Sequence, residues 1–294
     1  MKILVSGLLN IETTVPVKGF PIEYYPIDYP FFGINTDVSG VGYNIAKALK
    51  TLGDEVELIS FLGNDAEAAR ILSRLYDDEI KSTNIFRELK ATPVSAVLYD
   101  TEGKRQIYCD LKDIQEQSVN LDEVIDTLKG CDIAALCNIN FNRELIKKAK
   151  ELGVTTATDV HVLGDIEDEY NRDFMENADI LFLSDENLPC PAEDFIIKIA
   201  NRYHNRIIVI GMGAQGAMLY YNDDVCLVPA YTGGKVVNTV GAGDALFSSF
   251  LHFYAKGMDA KKALQRAVIF AGLKIEHNGA SKGFSKEQEI EKLI

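Results

Sequence analysis

The residue types in this chain best suited to chemistry lie in one stretch, Lys235-Val236-Val237-Asn238-Thr239-Val240-Gly241-Ala242-Gly243-Asp244-Ala245-Leu246-Phe247. A short apolar run enters it, and Leu246, Phe250, Leu251 and Tyr254 leave it at helical spacing, with Gly257 as a stop. The spacing predicts a strand, a tight glycine turn and a helix. A helix entrance offers unpaired backbone N–H groups and the positive end of the helix dipole, which together attract an anion. Small residues let a phosphate approach the main chain, and the carboxylate of Asp244 stands one residue beyond. This pairing suits phosphoryl transfer to an alcohol. The amides of Gly241, Ala242 and Gly243 would hold charge on the transferred group, and Asp244 would take the hydroxyl proton. The alternative is a glycine turn whose Asp only favours the first turn of the helix.

Further elements are needed to position such a site. Ser39-Gly40-Val41-Gly42-Tyr43-Asn44 opens a second helix, with Ile45, Ala48, Leu49 and Leu52 on one face and Gly53 as its end. Asn44, in its first turn, could hydrogen-bond a polyol. From Leu121 to Arg206, apolar strands (Ile133–Cys137, Thr155–Thr158, Ile180–Leu183) alternate with helices (Arg143–Leu152, Ala192–Tyr203). Short links between them imply a parallel sheet covered on both faces. Ligands of such sheets sit at the carboxyl ends of the strands, where Asp159, Asp185 and Gly241–Asp244 fall. Gly211-Met212-Gly213-Ala214-Gln215-Gly216 follows the strand Ile207–Ile210 and matches a dinucleotide fingerprint in form. That motif needs a helix next, whereas Ala217–Tyr221 is strand-like and Asn222-Asp223-Asp224 is a turn, so the dinucleotide reading fails. Near the N-terminus, Glu12–Asp37 is rich in Pro, Tyr and Phe and reads as a flap or strand pair, or as aromatics packed on the core. Val94–Tyr99 and Gln106–Asp110 alternate around the turn Thr101-Glu102-Gly103-Lys104, as a hairpin does.

Bulk properties narrow the field. The chain has 294 residues, 47% of them hydrophobic and 25% charged, as expected of a folded soluble protein. A net charge of −14 argues against nucleic-acid or anionic-membrane partners, which need a basic field. Cys109, Cys131, Cys137, Cys190 and Cys226 are scattered without paired spacing, and MKILVSGLLN reads as a first strand rather than an export signal. A cytoplasmic protein with reduced thiols is the expectation. His161, His204, His252 and His277 lie too far apart to suggest a zinc site.

Asn-Thr-Val-Gly-Ala-Gly-Asp at 238–244 resembles the second signature of the ribokinase-like (PfkB) carbohydrate kinases, Asp-Thr-x-Gly-Ala-Gly-Asp. Gly40–Asn44 with Ala46 and Leu52-Gly53 resembles the first, Gly-Gly-x-x-x-Asn. The resemblance implies a three-layer α/β/α sandwich with a central, mostly parallel sheet in one domain over 1–294. It also implies a small β lid from about 12–37 and 92–112, through which a homodimer forms. The activity implied is ATP- and Mg²⁺-dependent phosphorylation of a hydroxymethyl group, with Asp244 as the base. Asn10, Glu12, Gly40, Val41, Gly42 and Asn44 would hold the acceptor. Ser184, Asn187, Gly211, Gly213, Gly216, Thr239 and Ala271 would hold the nucleotide.

Several positions depart from the family pattern. Ser39 replaces a Gly, and Val41 replaces the Lys common in sugar-phosphate kinases, which favours a free sugar. Glu12 replaces a shorter Asp. Ser184 and Asn187 replace the named members of Asn-x-x-Glu, so Asp185 and Glu186 either order water around Mg²⁺ or simply begin the next segment. Gly211 replaces a Thr. Asn238 stands where the family often has the Asp of a monovalent-cation site, whose other ligands would be main-chain carbonyls near Lys274, Gly279 and Gly283; K⁺ is a possible cofactor weakened by that loss. Two other readings remain. One is a nucleoside acceptor stacked on Tyr24, Tyr25, Tyr29, Phe31 and Phe32. The other is a non-catalytic sugar- or nucleotide-binding protein.

Overall fold

Ile3, Leu4 and Val5 of β1 (Lys2–Ser6) are all fully buried. Successive side chains of a strand point to opposite faces, so β1 is covered on both sides, as a central strand of a parallel sheet must be. The computed structural model describes residues 1–101 and 104–294 of the chain. After β1 come β2 (Asn10–Pro16), β3 (Asn35–Ser39), α1 (Val41–Leu52), β4 (Glu55–Phe61), α2 (Ala66–Asp77), β5 (Asn84–Phe86), β6 (Val94–Tyr99) and β7 (Arg105–Asp110). The middle of the chain gives α3 (Leu121–Lys129), β8 (Ile133–Leu136), α4 (Arg143–Glu151), β9 (Thr155–Val162), α5 (Arg172–Asn177), β10 (Ile180–Ser184), α6 (Ala192–Tyr203) and β11 (Ile207–Gly211). The antiparallel hairpin β12 (Ala217–Tyr221) and β13 (Asp224–Val228) follows, then α7 (Ala242–Ala255), α8 (Ala260–Lys274) and α9 (Glu287–Glu291).

Nine strands form the main sheet in the order β13-β12-β11-β10-β9-β8-β1-β4-β5, parallel from β11 to β5. Helices α1, α7 and α8 pack together, α4 packs against β8 and β9, and α6 packs against β11 and β12. The expected α/β architecture with helices around a mostly parallel sheet is what the chain adopts. The β12–β13 hairpin turns through Asn222 and Asp223, both in the left-handed region, and this hairpin is why no dinucleotide fold follows Gly211–Gly216. A second sheet, β3-β2-β6-β7, stands apart from the first. Every residue of β7 is exposed, as are Tyr24, Tyr29, Phe31 and Phe32 in the loop between β2 and β3. Of the expected hairpin turn, Glu102 and Gly103 lie outside the described residues.

One local expectation is corrected. No strand enters the glycine turn: 235–240 is an irregular segment in which Val236 and Val237 are exposed. The apolar pattern there is misleading because the sheet already ends at β13. The segment instead crosses to the end of α8, where the N–H groups of Val237 and Asn238 share the Ile275 carbonyl at 2.8 and 3.0 Å.

The two sheets are tied by Asp65, which caps α2 through the Ala68 N–H at 2.9 Å. The same carboxylate accepts from the Thr92 N–H at 2.7 Å and from its hydroxyl at 2.6 Å, just before β6 begins. Loss of a helix cap together with a charge-assisted bond to a buried partner predicts a loss of about 2–4 kcal/mol for Asp65→Ala. The measurement is the urea unfolding midpoint at unchanged m-value.

Candidate active site

α1 and α7 both begin at glycine turns and pack against each other, so their first turns meet at the carboxyl end of the sheet. The closeness of α1 depends on Gly42, where a Cβ would stand 2.7 Å from the carbonyl carbon of Gly7 in the turn after β1. Across the meeting point Asn44 Nδ2 donates to Asp244 Oδ2 at 2.7 Å. Asp244 is only 9% exposed. Burial pushes its carboxyl above the usual Asp range and the Asp159 carboxylate adds to this, against the Asn44 hydrogen bond and the nearby His161 and Lys274.

The turn before α7 presents its amides selectively. Gly241 has φ +80, in the left-handed region, and a Cβ there would lie 2.3 Å from the Ala280 carbonyl oxygen. Ala242 corrects the sequence expectation: its N–H closes a turn onto the Thr239 carbonyl at 3.1 Å, so it is not an open donor. Among the described residues, the N–H groups of Gly241 and Gly243 have no acceptor within the chain. Gly243 is exposed, and the nearest atom to a Cβ there is Asp159 Oδ2, 4.0 Å away. A side chain would therefore meet open space at Gly243 and the Ala280 main chain at Gly241.

On the other side of Asp244 stand residues of the second sheet. Asn10, buried, shares a bond with the Ser95 hydroxyl at 3.0 Å, while its second amide atom is buried without a partner. Asn44 Oδ1 is buried and unpartnered too. Glu12 accepts from the Ser39 hydroxyl at 3.3 Å; burial raises its pKa, and the nearby Asp244 charge raises it further. Gly40 turns the chain into α1, and Val41 is half-buried at the start of that helix.

The remaining expected residues lie along the adjoining strand ends. Ser184 closes β10 and pairs with Gly211 at the end of β11. The Asp185 N–H donates to the Gly211 carbonyl at 2.9 Å, and the Glu186 N–H to the Ser184 hydroxyl at 3.2 Å. Asp185 is half-buried, and Glu186 and Asn187 are exposed. Gly213 and Gly216 bound the turn from β11 to β12, where the Met212 N–H donates to the Gly216 carbonyl at 2.8 Å. Ala271 lies on α8, whose C-terminal turn carries the 235–240 segment through Ile275. Thr239 is reached from the second sheet by Arg105 of β7, Nη1 to Oγ1 at 3.0 Å. Among the described residues, no three His, Cys, Asp or Glu side chains gather closely enough to hold a metal ion.

A model of the pfkB family carbohydrate kinases matches residues 2–287. The chain belongs to the PfkB family. Among its curated relatives, a deoxyribokinase of Salmonella typhi is 22% identical over all of this chain and 99% of its own length. A nucleoside kinase of Methanocaldococcus jannaschii is 22% identical over 95% of this chain and 91% of its own. A microbiome-derived acarbose kinase superposes with a TM-score of 0.89 at 23% identity, covering 99% of this chain and 98% of its own, and so shares the fold. This PfkB protein is therefore an ATP-type phosphotransferase with an alcohol acceptor, of the sugar and nucleoside kinase group.

Two residues at the site were not singled out in the sequence for their side chains. Arg105 carries no local signal, since it meets Thr239 only through the packing of β7. Lys274 does carry one, because it follows Ala267 and Phe270 on the apolar face of α8 at the spacing of a core position. It is fully buried, and Nζ donates to the Val240 carbonyl. Burial lowers its pKa to about 8, against the pull of the Asp244 and Glu12 carboxylates and with help from Arg105. These residues do not fit K⁺: Val240 already receives an ammonium, and neutral Asn238 bonds Asn278 at 2.8 Å and the Val240 N–H at 2.8 Å.

The two glycines of the turn should respond oppositely to substitution. Gly241→Ala combines left-handed strain with a carbonyl clash and is expected to cost about 2–4 kcal/mol. Gly243→Ala meets open space inside a helix and should gain up to about 1 kcal/mol. Thermal or urea unfolding of both variants is the check.

Proposed function

We propose that this PfkB kinase transfers the γ-phosphoryl group of ATP to a primary hydroxyl of a small free sugar, with Asp244 as the general base. The observation that carries the reading is a pair of unpartnered buried amide oxygens, one on Asn44, whose Nδ2 bonds the buried Asp244 carboxylate, and one on Asn10 of β2. Buried polar atoms without partners are costly, and a polyol supplies the missing hydrogen bonds. Asn10, Glu12, Gly40, Val41, Gly42 and Asn44 form the acceptor side in this reading. Val41, uncharged where a phosphosugar would want a cation, favours an unphosphorylated sugar.

The nucleotide lies along Ser184, Asn187, Gly211, Gly213 and Gly216, with Thr239 and Ala271 beside it and the γ-phosphate at the Gly241 and Gly243 amides. Asp244 takes the proton of the acceptor hydroxyl. The freed oxygen forms a bond to the γ-phosphorus, the bond from that phosphorus to the β–γ bridging oxygen breaks, and ADP leaves with the electron pair. The two amides stabilise charge on the transferring group, as donors aimed at a transition state do. Mg²⁺ fits as a partner of the nucleotide because it keeps most of its waters, and Asp185 and Glu186 at the mouth suit contacts through water. When bound, it would neutralise charge between the phosphates.

In this reading the whole chain, 1–294, works as one domain, and the β3-β2-β6-β7 sheet is the lid. Its outer strand β7 offers an edge for a second copy. Five free cysteines agree with a reducing cytoplasm. A nucleoside acceptor is favoured by one observation, the exposure of Phe31 at 84% and Phe32 at 102%, which leaves both rings free to cover a base.

The test is ADP release over a panel of pentoses, hexoses, their phosphates and nucleosides. Turnover on one acceptor class should fall about 10²–10⁴-fold in Asp244→Asn; unchanged turnover in that variant would remove Asp244 as the base. Gly243→Ala should lose turnover while staying folded, since its methyl occupies the phosphate's approach. Because Asp244 acts ionised and its pKa is raised, kcat/KM should fall with falling pH at a point above the ordinary Asp value of 3.8. Asn44→Ala removes a bond to the ionised form and should move that acid limb to higher pH.

A further inference from the structure

The glycine turn is held by more than its own hydrogen bonds. Val240, immediately before Gly241, presents its carbonyl to Lys274 Nζ at the C-terminal end of α8. The lysine side chain is fully buried, as few are. Groups facing it are the carboxylates of Asp244 on α7 and Glu12 on β2, together with the Arg105 guanidinium of β7. A fixed positive charge thus sits between the proposed base, the acceptor pocket and the main chain of the anion site. On the same turn Asn238 is neutral, and its amide is spent within the chain on Asn278 and Val240. A metal cation here would compete with a tethered ammonium for the Val240 carbonyl and would find no carboxylate at Asn238 to attract it.

We propose that Lys274 is the resident cation of this turn, standing in place of a monovalent metal ion and making the protein independent of K⁺. Lys274 is a positioning residue: it touches no substrate and acts by fixing the Val240 carbonyl, and so the direction in which the Gly241 amide points. A tethered ammonium carries no entropy cost for ion capture and keeps its place at any salt composition. The catalytic half of the proposal rests on the kinase reading above; the ion-binding half does not.

The experiment measures melting temperature for the wild-type protein and Lys274→Met in KCl, NaCl and tetramethylammonium chloride at equal ionic strength. Turnover is measured in the same three salts. Wild type is expected to melt at one temperature in all three, with kcat changing less than about twofold, because a ligand that finds no site contributes no stabilisation. Lys274→Met is expected to lose about tenfold or more in kcat with a smaller change in acceptor KM, as for a lost transition-state contact. It should regain part of its melting temperature and kcat in K⁺ over tetramethylammonium, since the vacated Val240 carbonyl can then take a metal ion. Wild type that melts higher, or turns over severalfold faster, in K⁺ alone overturns the proposal. So does a folded Lys274→Met with wild-type kcat. If Lys274→Met does not fold, the wild-type melting series decides alone, and it does so even if no acceptor is turned over.

Discussion

A single hydrogen bond, from Asn44 to Asp244, joins two helix entrances that the chain separates by 200 positions. It can form only if α1 lies tight against the turn after β1, which Gly42 permits, and if α7 begins where the Gly241 turn places it. It also opposes the rise in the Asp244 pKa that burial produces. A carboxylate buried to this degree prefers to be neutral, and the Asn44 amide is the strongest influence holding it ionised. Packing of the two helices and the charge of the Asp244 carboxylate are therefore one constraint.

The electrostatics around that constraint are local. A chain with net charge −14 has no basic field to draw in an anionic nucleotide. What it has is a helix entrance where, among the described residues, the Gly241 and Gly243 amides have no acceptor, and behind it a buried lysine facing two carboxylates. Glu12 and Asp244 each keep the Lys274 ammonium charged, and the lysine in turn pulls both carboxyls toward the ionised form. Removing the lysine leaves two like-charged carboxylates near each other, and removing either carboxylate weakens the support for the ammonium. A buried triad of this kind behaves as a unit, with effects that do not add.

Much of this was readable in the sequence, and the parts that were not share a physical cause. Helical periodicity and Gly53 set the limits of α1, the alternation of apolar runs gave the parallel sheet, and Asn222-Asp223 gave the β12–β13 turn. Residues joined by local rules were therefore visible: Gly40–Asn44 and Gly241–Asp244 announce two helix entrances. Val236 and Val237 misled because apolarity reports burial only where a neighbouring strand exists to pair with, and the sheet had already ended at β13. The Ala242 amide misled because an open-looking turn can satisfy itself with the Thr239 carbonyl. Arg105 and the unpartnered amides of Asn10 and Asn44 depend on how the second sheet meets the first, a long-range relation that no spacing encodes. Lys274 was half legible, a cation at an apolar position of α8, although the carbonyl it reaches was not.

The strand order has a consequence in time. β1 sits inside the sheet with β8 on one flank and β4 on the other, and from β8 onward each new strand joins the edge left by the one before it, out to β13. The sheet thus grows outward in the order in which a ribosome releases it, without waiting for distant partners. The site is the opposite case. Asn44 emerges early and Asp244 late, and at roughly 5–20 residues per second the interval between them is about 10–40 s. For that interval the nascent chain holds a nearly finished scaffold in which Asn44 lacks its Asp244 partner, so the proposed site stays incomplete until α7 docks.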